Sequence, residues 1–210
     1  MPMTSAAVSD PPLPPSYGYL AWDEPASAGS TGEAHARRIL VAAIALLRQG
    51  IDLLGTLPPE TYANRVAVAF QGSIGGHYRH CLDHFASFLR GCESEFVDFD
   101  HRARDPRIER DPDRARRESE ALLAALEGLD PDVLDAPVTV RCEVSYEHGD
   151  SPITRSSMGR ELAYAIAHGI HHFALIAVMA RLQGVTLPED FGVAPSTMAY
   201  RAASARGELE

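Results

Sequence analysis

The sequence predicts an all-α protein, a four-helix bundle with a short extended excursion before its last helix. Three observations carry this. Four segments place apolar residues at the three- and four-residue steps of an amphipathic helix. Capping and stop residues bracket those segments. A length of 210 residues with 45% apolar and 23% charged content suits one globular domain with a buried core.

In chain order, residues 1–32 hold PPLPP and much Ser, Gly and Ala. So little apolar surface cannot offset the entropy of ordering, so an extended N-terminal arm is expected. Tyr17, Tyr19, Leu20 and Trp22 are expected to pin its end on the bundle, because such a cluster is costly to expose. The bundle is set at 33–198. Its first helix, from Glu33 to Leu54, is marked by Ile39, Leu40, Ala43, Ile44, Leu47, Ile51 and Leu54, and Pro58 with Pro59 ends it. Ser73 caps a second helix to about Arg90, with Ile74, Tyr78, Cys81, Phe85 and Phe88 on one face and Gly91 as the stop. A charged connection follows, and Asp111 with Pro112 opens a third helix that carries Leu122, Leu123 and Leu126 to Gly128. From Val138 to Tyr146 the period changes to two, the sign of a strand or extended excursion. Ser156 or Ser157 caps the fourth helix, which runs to about Gln183 with Gly184 past its end. Beyond it Pro188 and Pro195 rule out one continuous helix, while Phe191, Val193 and Met198 suggest that this segment packs across the bundle; 199–210 is read as a C-terminal tail.

Composition narrows the function. The formal net charge of −10 repels nucleic-acid phosphates, and the arginines between Arg102 and Arg117 alternate with carboxylates, so that stretch reads as a solvated face. Every basic residue is arginine, which excludes Schiff-base and lysine-base chemistry. Cys81, Cys92 and Cys142 form no CxxC pair, so neither a disulfide framework nor a cysteine zinc site is expected, and Cys81 reads as core packing. The longest apolar runs, Ile39–Leu47 and Phe173–Ala180, are shorter than the ~20 residues of a membrane span, and no basic-then-apolar leader is read. The expected setting is the cytoplasm, with no membrane or nucleic-acid partner. Aliphatic faces on the first and third helices would suit a symmetric homodimer.

The histidines carry the chemistry. His168 and His172 stand four residues apart, about 40° around a helix axis and one turn along it, so both rings can address one ion. Glu161, Leu175, Met179 and Leu182 project on the same stripe, which is therefore expected to face the interior. Buried imidazoles need partners, and a metal is one. The second helix offers His77, His80 and His84 within about 60° of one another, and the periodicity leans to His77 or His84. Three neutral nitrogens with open positions make a catalytic type of site. His35, His101 and His148 lie in polar surroundings and are read as surface residues.

The SIGGHYRHCLD and HGIHHFALI segments resemble the DinB/YfiT-like superfamily over residues 33–198. The resemblance implies a DinB-like bundle, and a metal site of His80, His168 and His172, with His77, His84, Asp83 and His171 as neighbours or alternative ligands. It also implies thiol-dependent transfer or isomerisation with low-molecular-weight thiols, or a stress-response role without known activity. The expectation is a metal-dependent transferase or hydrolase acting on a small molecule, with zinc, nickel or iron activating water or a thiol. Glu161 is the expected proton acceptor or ligand-orienting group. The competing expectation is a non-catalytic module in which the metal only stabilises the bundle.

Overall fold

The computed structural model describes residues 28–69, 71–146 and 149–208. The expectations for 1–27, including the pinning aromatics, and for His148 lie outside them. Six α-helices dominate the described chain: α1 (Ala28–Thr56), α2 (Pro59–Ala63), α3 (Ile74–Ser94), α4 (Pro112–Glu127), α5 (Met158–Leu182) and α6 (Pro195–Ala205). Of the four long ones, α1 packs on α4 and α5, and α3 packs on the same two helices. Leu40, Ala43 and Leu47 of α1 meet Tyr78, Phe85 and Phe88 of α3 and Leu162, Ile176 and Met179 of α5 in one core.

Sequence signals set most boundaries. Ser73 Oγ accepts from Gly76 N, Asp111 from Asp113 N and Arg114 N, and Ser157 Oγ from Arg160 N, each satisfying N–H groups that the first helical turn leaves unpaired. Four boundaries differ from expectation. α1 begins at Ala28, five residues before Glu33. Pro59, read as a helix stop, also opens α2, because a proline at the first helical position surrenders no needed N–H. Gly91 does not end α3: a Cβ there would meet Val97 Cγ2 at 2.3 Å, so the glycine lets a strand cross the helix. The helix ends instead at Glu95, whose φ of 55° is left-handed. Pro195, finally, starts α6 inside the segment divided at 198 by the sequence reading.

The extended excursion supplies the central strand of a small sheet rather than an isolated strand. A short pair, β1 (Arg65–Val66) and β2 (Gly72–Ser73), leads into α3. The larger sheet has the order β3-β4-β5, with β3 (Phe96–Asp98) parallel to β4 (Pro137–Arg141) and β4 antiparallel to β5 (Ile153–Ser157). Alternation puts Val138 and Val140 inside, but it fails past Arg141: Val144 and Tyr146 are exposed. β3 lay in what the sequence reading took as a charged connection, since three residues are too few to show a period.

Residues 32–56 and α5 are each long and apolar enough to cross a membrane by length and composition. Both pack against other helices here, and α5 carries the polar stripe described below.

Candidate metal centre

The centre is built on the facing sides of α3 and α5, the most closely associated helix pair in the fold. Behind it, Gly169 lets α1 come close to α5, since a Cβ there would run into Leu46 Cδ2 at 2.7 Å. Five imidazoles then meet: His77, His80 and His84 of α3 with His168 and His172 of α5.

Their contacts are short and specific. His80 Nε2 lies 2.8 Å from His168 Nε2, and His77 Nδ1 lies 2.9 Å from His172 Nδ1. The His84 and His168 ring centroids are 4.0 Å apart, and His172 lies 4.5 Å from both His80 and His168. His84 Nδ1 donates to the His80 carbonyl at 2.9 Å, as an i to i+4 pair on one helix face allows, so the unprotonated nitrogen of the neutral ring is Nε2. Ring nitrogens of His80, His84 and His168 all fall within 4.8 Å of one another, the one group of three among the described residues close enough to share an ion.

The expected set of His80, His168 and His172 is thus brought into one cluster, but His84 rather than His172 completes the tightest triad. His172 turns one ring nitrogen to His77 instead. The periodicity leaned to His77 or His84, the resemblance to His80, and the structure uses His80 and His84 together. His171, one residue from His172, is exposed and meets the cluster only edge-on. Asp83 does not contact the cluster: its carboxylate is held by Arg79 at 2.6 Å, and burial pushes its pKa up against that pairing. Leu182, expected on the inward stripe, is exposed at the last residue of α5. His35 and His101 are on the surface, His101 pairing with Asp98.

Electrostatics suit an ion. Burial lowers the pKa of His80 to about 2, with His84 and Arg102 adding to the effect, and burial lowers His84 and His172 to about 3 and His168 to about 4. His77 is also lowered by burial. Neutral imidazoles are the ligating form. In tetrahedral coordination at 2.0–2.1 Å, ligand nitrogens sit about 3.4 Å apart. The His80 and His168 nitrogens therefore need to part by about half an ångström, and nitrogens of the triad separated by up to 4.8 Å need to close by up to about 1.4 Å, movements that χ rotations supply, so the donor set fits a divalent ion.

Around the triad stand residues the sequence reading missed. Tyr164 stacks on His168 at 5.8 Å and couples electrostatically to the Cys142 thiol; burial raises the phenol to about 12 and raises the thiol as well. Phe99 stacks on His84 at 5.2 Å. Arg102, read as part of a solvated face, is half-buried, with Nη1 3.0 Å from His80 Nδ1 and 3.4 Å from both His84 nitrogens. Tyr164 was legible as one turn before His168; Arg102 was not, since no period exists in a loop. Glu161 is buried and accepts from Ser156 Oγ at 2.6 Å rather than from a histidine, while its charge is felt at Tyr164 and Cys142.

Comparison with known proteins adds three findings. The model of the DinB family matches residues 47–203, more than half of the chain. The chain is similar to FK506-binding protein 5 of Rhizopus delemar, at 36% identity over 67 residues, a match covering 32% of the chain and 17% of that protein. No solved structure matches.

Proposed function

The chain belongs to the DinB family, and from that premise we propose a metal-dependent enzyme, its ion held by three histidines, that transfers or hydrolyses a small substrate. The observation that carries this reading is the convergence of His80, His84 and His168 within 4.8 Å from two separate helices. In the same reading α1, α3, α4 and α5 are the family's four-helix bundle. Zinc, nickel and iron all suit the nitrogen donors.

A divalent ion on such ligands lowers the pKa of bound water to ~7 or ionises a coordinated low-molecular-weight thiol. The chain's own residues supply the rest. His84 is locked in one tautomer by the His80 carbonyl, which presents Nε2 without a search over ring orientations. Phe99 and Tyr164 wall the histidines and keep water from one side. Glu161, fixed by Ser156, is the proposed proton acceptor, acting by way of the Tyr164 and Cys142 pair that its charge reaches. The protein is proposed to work in the cytoplasm as a homodimer, without nucleic-acid or membrane partners.

A second reading, a metal that only stabilises the bundle or serves a stress response, is favoured by His172. At 4.5 Å from both His80 and His168 it is near enough to become a fourth ligand and close the site. Elemental analysis of untagged protein followed by a thiol-transfer screen with restored metal separates the two. One bound ion with turnover supports the enzyme; one ion with four nitrogen ligands by X-ray absorption and no turnover supports the structural reading.

A further inference from the structure

Among the described residues, Arg102 is the cation that touches the histidine nitrogens, and it does so without a carboxylate of its own. Nearby Arg79, Arg107 and Arg114 close on Asp83, Asp105 and Glu118. No carboxylate oxygen among the described residues comes within the 4.0 Å of an ion pair with Arg102; Asp83 and Asp100 act on it only from farther away. Its Nε is buried and has no hydrogen-bond partner. A buried guanidinium N–H without an acceptor is costly, and the planar fork of arginine matches oxyanions.

Proton bookkeeping on His80 sharpens this. Arginine has only donors, so His80 Nδ1 must accept from Nη1 and the proton of the neutral ring sits on Nε2, pointing at His168. Ligation through Nε2 moves that proton to Nδ1, where it would confront the guanidinium N–H. Arg102 must then turn to another acceptor, while still lying beside the ligand nitrogens. With neutral imidazoles and with Asp83 and Asp100 acting on Arg102 only from farther away, an incoming anion would be the group that pairs with it directly.

We propose that Arg102 is the oxyanion-recognising residue of this site, so that the molecule taken up beside the histidines presents a carboxylate or phosphate group. The assignment rests on the metal reading above. Its position within 3.4 Å of two triad rings lets one oxygen of such a group face the ion and another the guanidinium.

The test uses the full chain loaded with cobalt(II), whose visible absorption reports its coordination. Sodium acetate, inorganic phosphate and neutral imidazole are titrated separately into the wild type, Arg102→Gln and Arg102→Lys. At least one of the two anions is expected to lose about tenfold or more in affinity in Arg102→Gln, with Arg102→Lys in between and imidazole changed less than threefold. Loss for acetate alone points to a carboxylate, for phosphate alone to a phosphate. Unchanged affinity for both anions, or equal weakening of imidazole, overturns the proposal while cobalt stays bound. Wild-type protein that binds no cobalt overturns the metal reading and this one with it.

Discussion

Replacing His168 by alanine separates a metal ligand from a packing residue. His168 is half-buried and its ring nitrogen has one close partner, His80 at 2.8 Å, so the metal-free protein loses about one net hydrogen bond, ~0.5–1.5 kcal/mol. The metal-bound protein loses far more. At a metal concentration a thousand times Kd, binding stabilises by about 4.1 kcal/mol; a ligand loss that weakens Kd at least as much as an outer-shell change, about a hundredfold, leaves about 1.4 kcal/mol. The difference of about 2.7 kcal/mol corresponds to roughly 5–11 °C for a chain of this size. Thermal melts of wild type and His168→Ala, each with chelator and with zinc, read it directly. A metal-dependent rise in Tm that is equal in the two proteins would refute the assignment of His168 as a ligand.

Other expectations follow from the same geometry. His84→Ala should reduce the bound metal at least as severely as His168→Ala, whereas His172→Ala should weaken it by about 10- to 100-fold, the range of an outer-shell partner; elemental analysis after dialysis ranks them, and the opposite order would restore His172 to the triad. The chelated protein should lose stability as pH falls from about 7 to 5: unfolded histidines protonate near 6.5 while His168 resists to about 4 and His80 to about 2, so in that window the unfolded chain binds more protons and stability rises with pH. A flat Tm profile over this range contradicts the buried neutral cluster. Tyr62→Phe removes the donor to the Ile108 carbonyl at 2.7 Å in the loop beyond Arg102, and should cost about 1–3 kcal/mol in urea melts while leaving metal content unchanged.

Much of the helical framework was legible in the residues. Ser73, Asp111 and Ser157 act through local hydrogen bonds, and the 3.6-residue period depends only on the chain's own geometry, so the starts of α3, α4 and α5 and the faces they bury needed no tertiary information. The same arithmetic put His168 and His172 on an inward stripe and grouped the three histidines of α3 within about 60° of one another. Tertiary structure alone decided the rest. Which nitrogens meet depends on the relative rotation and offset of two helices, and that offset brings His84 into the tightest group of three and sets His172 against His77. β3 and Arg102 come to the site through a loop without periodicity, where sequence order carries no direction in space. A residue's face on its own helix is local physics; its distance from another helix is a property of the packed whole.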